Sequence, residues 1–130
     1  MERLYPKDVD VRTVSPLALA FIGDGVYEMM VRERLVCLAN RPPRELHREA
    51  VKLVRAEAQA AAMEVLLPLL TEKEEAVYKR GRNAHTTRNS DEYHRATGLE
   101  TLFGWLYLRG EIDRVRELFD AAMEAHIQES

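Results

Sequence analysis

The chain has 130 residues, of which 46% are hydrophobic and 32% charged, a composition typical of one globular domain with a core of its own. A single cysteine, Cys37, excludes a disulfide framework or a cysteine-based metal site and favours a reducing, cytoplasmic setting. The N-terminus has no apolar signal segment, no stretch has the length of a membrane span, and a net charge of −3 gives no general attraction to nucleic acid.

The first predicted helix runs from about Pro16 to Ala39, with Ser15 as its N-cap. Residues at helical spacing form a stripe that we expect to face the core, and the stripe includes two acids. Its members are Leu17, Phe21, Asp24, Glu28, Val31, Leu35 and Leu38. The helix is therefore predicted to present a carboxylate, Asp24, in the middle of an apolar face.

Asp24 lies between Gly23 and Gly25, and these glycines allow another backbone or a ligand to approach it closely. A carboxylate in this position is costly to bury unless a cation or several donors meet it. Two interpretations stay open. Asp24 either caps or bridges a neighbouring helix, or it is a metal ligand that needs a second carboxylate.

A second helical pattern begins at Pro43 and continues to Pro68, which is too long for one uninterrupted element, so a bend is predicted at residues 55–59. Its polar faces carry several cations: His47, Arg48, Lys52 and Arg55. Thr71 and Glu74 then form a capping box that opens a short helix through about Arg82.

Residues 79–89 contain no acid in a chain that is acidic overall, and they show no apolar periodicity. A solvated loop is the simplest interpretation. The segment also combines arginine and lysine with histidine, threonine and asparagine, and side chains of these types commonly contact phosphate oxygens. We therefore favour phosphate binding.

The next helix is predicted over Asp91 to Leu108, and it places Glu100 within an apolar stripe, between the small residues Thr97 and Gly104. A final amphipathic helix follows from Glu111 to about Gln128. Nothing is typical of a sheet, so the fold class is all-α. We expect one domain over residues 1–130, with its core at about 15–128.

Two acids in the apolar stripes of separate helices suggest that these helices cross with Asp24 and Glu100 facing each other. Carboxylate oxygens favour Mg²⁺ or Mn²⁺, which keep several waters and also bind phosphates. Such an ion activates water for phosphodiester hydrolysis. A structural pairing of each acid with an arginine is the alternative from the residues alone.

Two segments carry a family resemblance. Phe-Ile-Gly-Asp-Gly-Val-Tyr at 21–27 and Ala-Thr-Gly-Leu-Glu at 96–100 resemble motifs of the ribonuclease III endonuclease domain. Together with Arg-Gly-Arg-Asn-Ala at 80–84, they resemble most closely the compact branch of that family, Mini-ribonuclease III.

This resemblance implies a helical-bundle homodimer that cuts double-stranded RNA with Mg²⁺, or with Mn²⁺ as a substitute. Asp24 and Glu100 match the essential acids of the family's metal site. Within the compact branch, the implied substrate is the precursor of large-subunit (23S) ribosomal RNA, and a ribosomal protein as helper fits this task. We expect no double-stranded-RNA-binding domain in the chain, so the catalytic dimer must bind RNA without the help of such a domain. The candidate contacts are Arg80, Arg82, His85 and Arg88.

The chain departs from full-length ribonuclease III at two further acidic positions of the site, which are occupied by Ala20 and Thr97. Mini-ribonuclease III shares this reduction, so the resemblance still implies an active enzyme. The two missing acids favour a rival hypothesis, a catalytically silent RNA-binding or ribosome-assembly dimer on the same fold, whereas the retained Asp24 and Glu100 oppose it.

Overall fold

The computed structural model describes residues 3–84, 87–88 and 90–129. Within these ranges the chain forms six α-helices and two 3₁₀ turns, with no strand, so the predicted all-α class is confirmed. The helices are α1 (Pro16–Leu38), α2 (Pro43–Val54), α3 (Ala56–Leu66), α4 (Glu72–Arg82), α5 (Asp91–Leu108) and α6 (Ile112–Glu129), and the 3₁₀ turns are Val11–Thr13 and Leu67–Leu69. No helix in the described part of the chain is both long and apolar enough to cross a membrane.

The helix ends follow the local chemistry of the sequence. The Ser15 hydroxyl accepts a hydrogen bond from the Ala18 amide at 3.2 Å, and Pro16 occupies the first turn of α1. Thr71 and Glu74 form the predicted capping box at the start of α4. Arg55 has extended backbone and separates α2 from α3, which confirms a break in the long helical pattern and places it at the first residue of the predicted 55–59 range.

Helix α5 lies at the centre of the molecule and packs against α1, α3, α4 and α6. Its apolar side chains Leu99, Leu102 and Phe103 are fully buried. Across the core, the ring of Phe103 meets the ring of Tyr27 from α1 edge-on, with centroids 5.2 Å apart. The two helices that carry the acidic residues are therefore held against each other by the core.

The buried face of α1 differs from the predicted stripe in the first half of the helix. Leu17 and Phe21 were expected in the core, but they are 42% and 83% exposed. Leu38, at the other end, is also exposed. The buried residues are instead Leu19, Ala20, Gly23, Tyr27, Val31 and Leu35.

The prediction was wrong there because α1 is apolar on more than one side, and a period of 3.6 residues does not say which apolar side meets the core. The buried side is the one whose small residues let α5 approach. Asp24 consequently lies beside the buried face and is exposed, rather than standing in the middle of that face.

An ion pair fastens α6 to the start of α4. The Arg114 guanidinium donates to both carboxylate oxygens of Glu74, at 2.9 Å each, and to the Leu69 carbonyl oxygen at 2.7 Å. The Glu74 side chain is only 6% exposed, and its Oε1 also accepts from the Thr71 amide. One buried carboxylate thus ties the turn before α4 to the last helix.

Candidate active site

The two acids singled out in the sequence lie beside each other across the contact between α1 and α5. Asp24 is exposed, whereas Glu100 is partly buried. Their carboxyl groups are within hydrogen-bonding reach of each other. The structure therefore brings together the only two acids that the sequence predicted to share a site.

The environment of Glu100 strongly disfavours its charged form. Burial, the hydrogen bond with Asp24 and the negative charges of Asp24 and Glu28 together raise the pKa of the Glu100 carboxyl to about 9. Burial is the largest of these causes. Two carboxyl groups this close repel each other when both are ionised. A cation between them would offset this electrostatic repulsion.

Glu28 lies one turn after Asp24 on α1, where an acid can either form a structural ion pair or support the site. Its carboxylate pairs with Arg32 at 3.0 Å, so the ion pair is present. Its negative charge also acts on Glu100. Glu28 therefore belongs to the electrostatic surroundings of the two acids while its own charge is balanced by Arg32.

Two positions that would supply further acids in full-length ribonuclease III supply none here. Ala20 is buried, and the buried Thr97 hydroxyl donates to the Tyr93 carbonyl oxygen at 2.9 Å, within its own helix. Among the described residues, no group of three or more His, Cys, Asp or Glu side chains is arranged to hold a metal ion.

The residues present nevertheless fit a hard divalent cation. Asp24 and Glu100 offer only oxygen donors, and Mg²⁺ commonly binds through one or two carboxylates with waters in its other positions. Asp24 is exposed, so water and a phosphate have access to this side of the pair. What the arrangement can do chemically is hold one such cation at the surface of the crossing between α1 and α5.

The basic stretch is partly helical, which confirms the short helix predicted through about Arg82. Lys79, Arg80 and Arg82 belong to the last turn of α4, where cations interact favourably with the helix dipole. Arg80 is exposed and has no ion-pair partner among the described residues. Arg82 is partly buried, donates to the Asn83 side-chain oxygen at 3.3 Å and lies 5.7 Å from the centroid of the Tyr78 ring.

Beyond the end of α4, the Arg88 guanidinium lies over the Tyr93 ring, 5.3 Å from its centroid, and the side chain is exposed. His85 was also predicted to contact RNA, and it lies outside the described residues. Arg80 and Arg88 are therefore exposed to solvent, whereas the side chain of Arg82 is held by its contacts with Asn83 and the Tyr78 ring.

A second basic surface was not assigned from the sequence. Helix α2 buries only Ala50, and its exposed side carries Arg44 and Arg48, neither of which has an ion-pair partner in the described part of the chain. Their neighbour Lys52 pairs with Glu49 at 3.2 Å. The signal for this surface was the run of cations at helical spacing, but only the tertiary structure shows how little of α2 is covered.

The outer side of α1 exposes two large apolar side chains about two turns apart. Phe21 and Met29 are 83% and 60% exposed, and Gly25 lies between them. A groove of about 260 Å³ adjoins this side and is lined in part by Ile22, Gly25 and Met29. An apolar surface of this kind, on a helix that also carries a site residue, is typical of an interface with another protein chain.

Comparison with known proteins gives a consistent result. The family described as Ribonuclease III domain matches residues 17–111, a range that includes Asp24 and Glu100. Proteins named Mini-ribonuclease 3 are similar over most of their length. The relative from Thermoanaerobacter sp. is 42% identical over 119 residues, covering 88% of this chain and 84% of its own. The relative from Synechocystis sp. is 45% identical over 132 residues, covering 92% and 90%.

The fold is also found among solved structures. An X-ray crystal structure of a protein from Fusobacterium nucleatum matches with a TM-score of 0.80 at 26% sequence identity, covering 90% of this chain and 98% of that chain. The likeness therefore extends over most of this chain and nearly all of that one.

Proposed function

We propose a specific activity from the premise that this chain belongs to the ribonuclease III family and is an endoribonuclease that cuts double-stranded RNA. In this proposal Asp24 and Glu100 hold Mg²⁺, for which Mn²⁺ can substitute, and the enzyme trims precursor 23S ribosomal RNA as a homodimer. The observation that carries the proposal is the approach of the two carboxyl groups at the crossing of α1 and α5.

In the metal-free protein, Glu100 keeps its proton near neutral pH, because its carboxyl has a pKa of about 9. Loading the site requires that this proton leave, after which Asp24 and Glu100 present two negative charges, enough to balance one divalent cation. The chemistry that Mg²⁺ supplies when bound is the activation of water and the neutralisation of charge on the leaving oxygen of the phosphodiester. Asp24 and Glu100 orient the reaction by fixing where the cation sits.

RNA binding in this proposal uses the exposed cations at the end of α4 and just beyond it. Duplex RNA is recognised mainly by its shape and by contacts to phosphates and 2′-hydroxyl groups. Arg80 and Arg88 are exposed and suit such contacts, and Arg82 and His85 complete the proposed set. The exposed Arg44 and Arg48 of α2 give the molecule a second basic surface for the same purpose.

A homodimer is supported by the apolar outer side of α1. Phe21 protrudes from this side, and the groove beside Gly25 and Met29 lies close by on the same helix. Two copies related by a two-fold axis would each offer a protrusion and a groove, as a symmetric interface requires. Two sites related in this way suit a duplex, whose strands are themselves related by a near two-fold axis.

The choice of 23S ribosomal RNA precursor rests on the similarity to proteins named Mini-ribonuclease 3. The paired stalk formed by the ends of that precursor offers the duplex that a ribonuclease III enzyme cuts, and a ribosomal protein bound near the stalk would serve as helper. Such RNA is made in the bacterial cytoplasm, where we expect the enzyme to act.

Cleavage of a long RNA duplex, with and without Mg²⁺, tests the metal site in wild type and in the variants Asp24→Asn and Glu100→Gln. Each substitution keeps the size of the side chain and removes the charge that holds the cation, so cleavage should fall by at least about a hundredfold. Duplex binding and circular dichroism should stay near wild type. Asp120→Asn changes an exposed acid on α6 in the same way and should cut normally.

Near wild-type cleavage by either site variant would contradict the role of that acid, and metal-independent cleavage would contradict the metal site as a whole. The substrate is tested separately with two duplexes of equal length, one copied from the 23S precursor stalk and one of unrelated sequence. Equal cleavage of both would remove the support for a ribosomal task and leave a general duplex nuclease.

A further inference from the structure

Helices α1 and α5 touch through their backbones at two glycines. A Cβ atom added to Gly23 would lie 2.6 Å from the carbonyl carbon and closer still to the carbonyl oxygen of Glu100, and 2.8 Å from the amide nitrogen of Gly104. A Cβ added to Gly104 would lie 2.8 Å from the Leu19 carbonyl carbon and closer still to its oxygen. In both cases the nearest obstacle is a backbone carbonyl oxygen, which cannot turn aside as a flexible side chain can.

This contact coincides with the two acids. Gly23 directly precedes Asp24, and the group that a side chain at Gly23 would strike is the carbonyl of Glu100 itself. Gly104 follows Glu100 by one turn and meets Leu19, one turn before Gly23. The separation of the two backbones at this point therefore fixes how far apart the carboxyl groups stand.

Gly25 and Gly98 do not share this relation. A Cβ at Gly25 would meet nothing within 4 Å, so that position needs no glycine for packing inside this chain. Gly98 also lies on α5, but its Cβ would come within 2.6 Å of the Tyr78 ring, on the side that packs against α4. Helix α5 thus has one glycine contact that bears on the acids and another that does not.

We propose that Gly23 and Gly104 are positioning residues for the carboxyl pair: by keeping the backbones of α1 and α5 in contact, they hold Asp24 and Glu100 close enough to bind one cation together. This inference rests on the proposed metal site. Carbon atoms in contact lie about 3.5 to 4.0 Å apart, so an alanine at either position must push the helices apart by the order of 1 Å. A displacement of ~1 Å in a site can cost ~10²-fold in rate.

The test compares Gly104→Ala with Gly98→Ala, two substitutions in the same helix that each add one buried methyl group. Mn²⁺ binding to the full chain without RNA is measured by calorimetry, and stability by urea unfolding. We expect Gly104→Ala to weaken Mn²⁺ binding at least tenfold. Gly98→Ala should leave it within threefold of wild type although it also destabilises the fold. Equal Mn²⁺ affinities of wild type and a folded Gly104→Ala variant, or an equal loss in Gly98→Ala, would overturn the inference.

A longer acid provides a second measurement. Asp24→Glu adds one methylene group, so it should weaken Mn²⁺ binding in wild type, where the spacing is set for aspartate, and should partly restore it in Gly104→Ala. If Gly104→Ala does not fold, the Mn²⁺ affinity of Asp24→Glu alone tests the inference. An affinity equal to that of wild type would mean that the backbone contact does not fix the distance between the two carboxyl groups. Asp24→Asn and Glu100→Gln report on the metal site itself. Mn²⁺ binding that survives in both would refute that site, whereas binding lost in both but kept in Gly104→Ala would refute only the positioning role.

Discussion

Two buried or partly buried glutamates of this chain have opposite protonation behaviour, and the difference comes entirely from their neighbours. Glu100 faces Asp24 in a partly buried place, and its pKa is raised to about 9. Glu74 is even less exposed, yet the hydrogen bonds from the Arg114 guanidinium lower the pKa of its carboxyl below the ordinary value, against the opposing effect of burial. The carboxyl of Glu100 faces another acid, whereas the carboxyl of Glu74 is paired with the Arg114 guanidinium.

The pair of Glu74 and Arg114 should make the fold sensitive to acid. The folded-state pKa of Glu74 is lowered, so its stabilisation is fully present above the ordinary glutamate pKa of about 4.3 and is lost as pH falls through the lower folded-state value. Arg114→Met leaves Glu74 buried without its cation and should reduce the free energy of unfolding by about 3 kcal/mol at pH 7. Urea unfolding at pH 7 and at pH 3 should show that the difference in free energy of unfolding between wild type and Arg114→Met is smaller at pH 3.

The control for that measurement is Lys52→Met, which removes an exposed ion pair with Glu49. Surface pairs of this kind contribute about 1 kcal/mol or less, so the variant should unfold nearly as wild type does. If Arg114→Met loses the same free energy of unfolding at both pH values, Arg114 stabilises the fold by packing and by its hydrogen bond to the Leu69 carbonyl. The charge of Glu74 would then make no contribution.

At the scale of elements, the two ends of α4 have separate tasks. The first turn is acidic and is held by the capping box and by Arg114, whereas the last turn carries three cations, of which Lys79 and Arg80 are exposed and Arg82 is partly buried. The capping box and the buried ion pair lie at the start of this helix, and the proposed RNA contacts lie at its end and just beyond it.

We expect the double variant Arg80→Ala/Arg88→Ala to bind RNA duplexes of different sequence more weakly and with a flatter salt dependence. Each lost phosphate contact should reduce the slope of log affinity against log salt by about 1 at most. Arg82 is left unchanged because its partial burial over Tyr78 would mix binding with stability. The matched control is Lys73→Ala, an exposed cation at the other end of α4.

The measurements are salt-titrated RNA affinity and the melting temperature of each variant. A double variant that melts lower but binds RNA with unchanged affinity and slope would assign Arg80 and Arg88 a structural role. An equal loss of affinity in Lys73→Ala would mean that general positive charge, rather than this end of α4, attracts the duplex.

The sequence predicted where helices begin and end far better than which sides they bury. Ser15, Thr71 and Ser90 cap their helices by accepting a hydrogen bond from the backbone amide three residues later, so short segments determine these boundaries. The burial of Phe21 was predicted wrongly because it depends on which side of α1 meets α5, and that depends on residues far along the chain. The meeting of Asp24 and Glu100 followed from their apolar surroundings, but the backbone contact at Gly104 needed the structure.

At the scale of the whole molecule, the exposed apolar side of α1 predicts association. Phe21 is 83% exposed, so Phe21→Gln should leave the stability of the single chain unchanged. Burying a phenylalanine contributes about 1.5–3 kcal/mol, so the variant should weaken the dimer roughly 10- to 100-fold per buried side chain. Sedimentation at micromolar concentration gives the measurement, and Leu69→Gln, which alters an exposed leucine outside α1, is the control.

A monomeric wild type at those concentrations would contradict the dimer. A Phe21→Gln variant that associates as wild type does would place the interface on another surface of the molecule. Because Asp24 lies on the same helix as Phe21, the cleavage rate of the variant would also report whether a single site works alone.

The central position of α5 has a consequence for how the chain is made. A ribosome releases a chain from its N-terminus, and α1, α3 and α4 therefore emerge before the helix on which all three pack. Until residues 91–108 have left the exit tunnel, the earlier helices have only one another to cover their apolar sides, and Asp24 has no Glu100 to face. Synthesis itself thus delays the meeting of the two acids of the proposed site until most of the chain has been made.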